Sequence, residues 1–134
     1  MRSDLTHVVG TPFSNKGRIV GVGLDCWGLV MYVFGLYGIE LPDFDADAFR
    51  YSDNDKKVLE SIHSGKWKEV QYSMGSDEPL VVLMKMHPKY IAHVGVSTGD
   101  GRILHTTENT GAILSKVSTL KRRIVGFYRY VDNN

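Results

Sequence analysis

Cysteine is nearly absent from this sequence: Cys26 is the single thiol in 134 residues. One thiol cannot close an internal disulfide, and a structural zinc site normally takes two or more thiolates, so the apolar core must hold the fold. A charge excess is lacking too. Sixteen Lys and Arg stand against fifteen Asp and Glu, so no whole-molecule field draws the chain to nucleic acid or to an anionic membrane surface. No apolar run approaches the roughly 20 residues of a membrane span. Met1-Arg2-Ser3-Asp4-Leu5-Thr6 has no apolar stretch of the kind that directs export. Neither membrane insertion nor signal-directed export is therefore expected. Internal repeats and low-complexity tracts are missing as well, and only Asp132-Asn133-Asn134 reads as a loose tail.

What is present is enough apolar material, 43% of residues, for one core, so a single domain over residues 1–134 is expected. Ser3 or Asp4 can cap a short opening turn over 3–9, which Gly10-Thr11-Pro12-Phe13 breaks. Residues 14–23 read as loop, with Gly17, Gly21 and Gly23 allowing backbone approaches that a Cβ would block. A core helix follows. Asp25 can cap its first N–H groups, Leu29, Val30, Val33, Phe34 and Tyr37 repeat at helical spacing, and Gly38 supplies the stop. A more polar helix is expected from about 54 to 63, capped by Ser52 or Asp53, with Val58, Leu59 and Ile62 turned inward.

After Gly65 the pattern changes to short runs rich in β-branched and aromatic residues, predicting strands near 66–72, 79–86, 91–98, 102–107, 111–115 and 123–130. Thr98-Gly99-Asp100-Gly101 is the clearest hairpin turn. Helices followed by consecutive short strands indicate an α+β fold, with the Cys-bearing helix packed on an antiparallel sheet of five to six strands.

Chemistry concentrates at Gly23-Leu24-Asp25-Cys26-Trp27-Gly28-Leu29-Val30. A helix's first turn points free N–H groups at such a position and favours thiolate, the reactive species. A thiolate nucleophile needs a base, normally His, with a third group to orient it. His93 and His105 lie in strands on either side of the Gly99–Gly101 turn, where they can share one sheet face. His7, His63 and His87 sit near a terminus, a helix end and a Pro-containing turn, where histidine is commonly just solvated. Free Cys is also among the most buried residue types, and a lone strand His is usually a satisfied core residue, so both readings stay open from the residues alone. A zinc site of Cys26 and the two histidines has no recognisable ligand spacing, so no metal or cofactor is expected. Helix capping accounts for Asp25, and Trp27 reads equally as an aromatic wall for a ligand or as a core anchor.

Taken together the chain resembles the NlpC family of papain-like cell-wall cysteine peptidases. The resemblance runs through Gly-Leu-Asp-Cys-Trp-Gly-Leu-Val at 23–30, Tyr-Gly-Ile-Glu-Leu-Pro at 37–42, His-Val-Gly-Val-Ser-Thr-Gly-Asp-Gly at 93–101 and Ile-Leu-His at 103–105. It implies a papain-like fold and a triad of Cys26 as nucleophile, His93 as general base and His105 as the group orienting His93. It implies cleavage of amide bonds in peptidoglycan stem peptides through an acyl-enzyme, with the Cys26 backbone N–H as first oxyanion donor. Trp27, where many members carry Ser, is similar to the phage-tail-associated branch. That likeness implies a protein made in the host cytoplasm that works at the virion tail or the cell wall, with tail-tip proteins as partners.

The chain departs from the family pattern at two places. Gly10-Thr11-Pro12-Phe13 puts Phe13 where members often carry a Tyr whose hydroxyl assists the site, leaving Ser14 or Asn15 to replace it. Glu78-Pro79 replaces the usual Gly-Asp before the strand at 80–83. Phe13, Ser14, Asn15, Asp25 and Trp27 are accordingly the expected substrate-facing residues. The alternative function is a structural tail-assembly or wall-binding module with an idle triad.

Overall fold

Helix α1 (Cys26–Leu36) forms where the apolar spacing places it in the computed structural model of the protein, which describes residues 4–44, 46–47, 51–72, 77–86 and 93–131. Asp25 is its N-cap, with a side-chain oxygen accepting the Gly28 N–H, and Gly38 follows its end at φ +79°, a left-handed turn that glycine adopts without strain. The opening turn is also present: the Asp4 carboxylate accepts the Thr6 N–H at 3.0 Å, and the Val8 N–H reaches Leu5 O. Ser3, Ala92 and Ile91, and the tail from Asp132, lie outside the described residues.

Two features of the predicted loop and helix boundaries are corrected. The 14–23 segment contains a two-stranded hairpin, β1 (Arg18–Ile19) and β2 (Gly23–Leu24), too short to leave an alternating pattern. Helix α2 (Tyr51–Ile62) starts before Ser52 and Asp53, so neither is its cap. Asp53 sits in the first turn, where a carboxylate suits the helix dipole, and it accepts the Asp47 N–H at 3.0 Å. Val58 and Ile62 are buried as expected, and Leu59 packs partly buried against the same core.

Six strands form one antiparallel sheet: β3 (Trp67–Val70), β4 (Leu80–Met84), β5 (His93–Ser97), β6 (Arg102–Thr107), β7 (Gly111–Lys116) and β8 (Ile124–Tyr130). Their order is β3-β8-β4-β5-β6-β7. A four-residue helix, α3 (Val117–Leu120), precedes β8 and has no sequence signature long enough to predict it. The fold is thus α+β, a helix on an antiparallel sheet.

The sheet has two buried faces. On one, Val81, Leu83, Val94, Val96 and Leu104 pack with Leu29, Val30, Val33 and Phe34 of α1. On the other, Val82, Met84 and Ile103 pack with Leu120 of α3. Each such side chain contributes about 1.5–3 kcal/mol by leaving water. α1 is thereby held along the centre of the sheet, with its N-terminal end at β5 and β6. Among the described residues no helix is long and apolar enough to cross a membrane.

Candidate active site

The mouth of α1 is clamped by backbone contacts that only glycine permits. A Cβ on Gly28 would lie 2.2 Å from Gly17 O, one on Gly17 would lie 2.5 Å from Gly23 O, and one on Gly23 would lie 2.5 Å from Ser14 Cβ. The expected close approaches therefore occur at Gly17 and Gly23. Gly21 differs: nothing lies within 4 Å of its Cβ position, and its φ of +83° is the reason for glycine there. Asp25 ties loop to helix, accepting the Gly28 N–H at 2.8 Å and the Lys16 N–H at 3.1 Å while its Oδ1 pairs with the Arg18 guanidinium at 2.7 Å. Arg18 also pairs with Asp43 at 2.8 Å.

Cys26 occupies the first helical position and is buried. The backbone N–H groups of Trp27 and of Val94, the residue after His93, are near enough to its sulfur to favour the thiolate. The sheet explains why Val94 is available. The β5–β6 ladder registers at Val96↔Leu104 and Ser97↔Ile103, whereas β4–β5 continues to Met84↔His93 and β6–β7 to Thr107↔Gly111. β5 and β6 therefore part beyond Gly95, and the thiol sits where their ladder stops.

His93 and His105 meet across that opening, with His93 Nε2 3.2 Å from His105 Nδ1 and the rings edge to face at 76°. They are diagonal neighbours rather than directly opposed. One step beyond Val96↔Leu104 sets Gly95 against His105, and a Cβ on Gly95 would lie 2.9 Å from His105 Cβ. The missing side chain gives the His105 ring room to lean toward His93. By strand alternation both rings stand on the sheet face away from Val94 and Val96, which pack against α1. Among the described residues Cys26 and His93 share no direct hydrogen bond. His93 Nδ1 is the ring nitrogen not taken by His105. The other nitrogen of His105, Nε2, lies 2.9 Å from Ser115 Oγ. Ser115 was not singled out from the sequence, although its place in the strand after His105 was the available signal.

The electrostatics correct one expectation. Burial first, and then the Asp25 carboxylate, push the Cys26 thiol up to about 12, outweighing the Val94 and Trp27 N–H groups and the Arg18 charge that favour thiolate. Burial and the neighbouring His105 push His93 down to about 3, and burial lowers His105 as well. At neutral pH the resting pair is a thiol and a neutral imidazole. The helix terminus alone does not ionise the sulfur. Burial also raises Asp25, against the hydrogen bonds it accepts and the Arg18 charge.

The remaining expected residues divide. Phe13 is half-buried and bridges to Leu24, with the Ser14 N–H donating to Leu24 O, so both lie beside the strand leading into Cys26. The Asn15 amide instead donates to Asp47 at 3.0 Å. Asp25 is 4% exposed and committed to the cap and to Arg18. Trp27 is 1% exposed, stacks on Phe44 at 4.8 Å and donates its indole N–H to Pro42 O at 3.1 Å. It is a core anchor and presents no wall to a ligand. His7 bonds the Tyr32 hydroxyl at 2.7 Å, His63 is exposed just past α2, and His87 lies outside the described residues. A shallow cleft of about 350 Å³, lined by Lys16, Arg18, Asp43 and Phe44, opens beside the helix mouth.

Residues 10–129 match the family model described as the NlpC/P60 family. A staphylococcal structure, described as similar to a lipoprotein of the NLP/P60 family from Staphylococcus aureus subsp. aureus Mu50, shares the fold at TM-score 0.60 and 20% identity. The match covers 96% of this chain and 39% of that one, so this chain spans about two fifths of that protein's length. The NlpC/p60 domain of the peptidoglycan hydrolase SagA matches at TM-score 0.57 and 19% identity, covering 92% of this chain and 90% of that domain. No curated protein matches the sequence.

Proposed function

Because the chain belongs to the NlpC/P60 family, we propose that it is a cysteine peptidase that opens amide bonds in peptidoglycan stem peptides. The observation that carries this reading is the hydrogen-bonded pair His93 and His105 at the end of the β5–β6 ladder, with Cys26 at the mouth of α1 near the Val94 N–H that follows His93. In the reaction His93 Nδ1 takes the thiol proton as the sulfur attacks the substrate carbonyl carbon. The Cys26 N–H, which the helix ladder does not use, donates to the developing oxyanion. Collapse breaks the C–N bond, and the proton on His93 passes to the departing amine. Water then attacks the thioester, giving one proton to His93 and releasing the acyl group as an acid. That proton returns to the sulfur.

The finer setting proposed is a phage or prophage tail, the protein being made in the host cytoplasm and acting at the virion tail or the wall with tail-tip proteins as partners. Its support is the Trp that follows Cys26. The test of the enzymatic reading compares the protein with Cys26→Ala on purified sacculi and muropeptides. New amine and carboxyl termini are expected with the first only, and equal, undetectable cleavage by both overturns the peptidase.

One observation favours a second reading, a tail-assembly or wall-binding module with an idle triad. The thiol is buried, held protonated, and not hydrogen-bonded to His93. Virions carrying Cys26→Ala that remain fully infectious, while deletion of the domain blocks tail assembly, would establish it.

A further inference from the structure

The hydrogen-bonded line that begins at His93 does not end at His105. Ser115 lies on β7, where Ile103 faces it and Ile113 faces His105, so His105 and Ser115 are diagonal neighbours on one face of the sheet. Their contact, His105 Nε2 to Ser115 Oγ at 2.9 Å, leaves both His105 nitrogens engaged, Nδ1 with His93 and Nε2 with the hydroxyl. His105 is 3% exposed and Ser115 half-buried.

With both rings neutral, one proton lies in the His93–His105 bond, and its position decides what His93 can do. If His105 carries it on Nδ1 and donates, His93 must hold its own proton on Nδ1, the nitrogen that would have to receive the thiol proton. If His93 carries it on Nε2 and donates, its Nδ1 lone pair is free. His105 is then protonated on Nε2, and that buried N–H requires an acceptor. Ser115 Oγ is in place to accept it, whereas in the first arrangement the same hydroxyl would have to turn and donate to a bare Nε2.

We propose that Ser115 is a positioning residue, which accepts from His105 Nε2 and thereby satisfies the form of the histidine pair that leaves His93 Nδ1 free to accept a proton. The proposal rests on the peptidase reading for its role in turnover, whereas the tautomers themselves can be observed whether or not the protein is an enzyme. Burial lowers both histidines, so neutral rings are the species compared. Replacing Ser115 by Ala strands the His105 Nε2–H and favours the opposite arrangement, with the proton on His105 Nδ1.

The experiment reads the ring nitrogens of His93 and His105 by long-range ¹H–¹⁵N correlation at pH 7 in the wild-type protein, Ser115→Ala and Ser115→Thr. The wild-type protein and the Thr variant, which keeps a hydroxyl, are expected to carry protons on both Nε2 atoms, and the Ala variant to move them to Nδ1. On a muropeptide substrate kcat of the Ala variant should fall on the order of tenfold to a hundredfold with KM unchanged, and Thr should restore it. A wild-type His93 protonated on Nδ1 overturns the proposal even if the Ala variant does not fold, as do unchanged tautomers in a folded Ala variant. Shifted tautomers in a protein whose wild type and Cys26→Ala form are equally inert uphold the role of Ser115 and overturn the peptidase reading alone.

Discussion

Gly95 and His105 face each other where β5 and β6 separate, with a Cβ on Gly95 lying 2.9 Å from His105 Cβ and 2.7 Å from Leu104 O. One neighbour is strand backbone and the other the root of a ring already bonded on both sides, so neither can yield cheaply. Gly95→Ala is expected to cost about 1–3 kcal/mol, the usual scale of overpacking a core. It should also swing His105 away from His93. Denaturant midpoints give the first effect, and loss of the His93–His105 ring contact in the NMR spectrum gives the second. An Ala variant as stable as wild type, with both rings in place, would refute the close approach.

The same histidine pair sets how the fold responds to acid. His93 ordinarily takes up a proton near pH 6.5, but in the folded protein it does so only near 3, chiefly because burial penalises its charged form. Between those values the unfolded chain binds more protons than the folded one. Stability is therefore complete above about pH 6.5 and falls as pH drops toward 3, with a slope of about 1.4 kcal/mol per pH unit from His93. His105, also lowered by burial, adds in the same direction. Urea midpoints measured from pH 4 to 7 should show this decline, and His93→Asn should flatten it.

Much of this site could be read from residue order because its parts are local. Asp25 before an apolar helix dictates a cap, and two strands around Gly99–Gly101 must be neighbours. What escaped the sequence depends on distance through space. The early end of the β5–β6 ladder, the diagonal placement of the histidines over Gly95 and the contact with Ser115 are properties of register. Burial of Cys26 is another: helix polarity argued for thiolate, and desolvation by the packed sheet outweighed it. The β1–β2 hairpin and α3 were missed because two- and four-residue elements carry no period.

Trp27 provides a test of core against groove. Its stack on Phe44 and its indole bond to Pro42 O are internal contacts, so Trp27→Ala should destabilise by about 3–5 kcal/mol. Trp27→Phe keeps an aromatic ring beside Phe44 and loses the hydrogen bond, at a cost of about 1 kcal/mol. Substrate KM of the Phe variant should match wild type in steady-state assays. A stable Phe variant with a raised KM would return Trp27 to the ligand side.

The reactivity of Cys26 separates the two functional readings from the resting electrostatics. With its thiol near 12, only about one molecule in 10⁵ holds a thiolate at pH 7 by simple titration. Alkylation by iodoacetamide in the absence of substrate should therefore be slower than for free cysteine and climb through pH 10 without a plateau. Asp25→Asn sharpens the test, because Asn can still accept the Gly28 N–H as a cap while the charge beside the sulfur is removed. Alkylation at a fixed pH should accelerate, and stability should fall through the weakened Arg18 pairing. A wild-type plateau below pH 7 would instead establish a standing thiolate, and the burial of Cys26 would not control its charge. Acceleration by Asp25→Asn together with muropeptide turnover by the wild type would show that a thiol protonated at rest loses its proton only during the reaction.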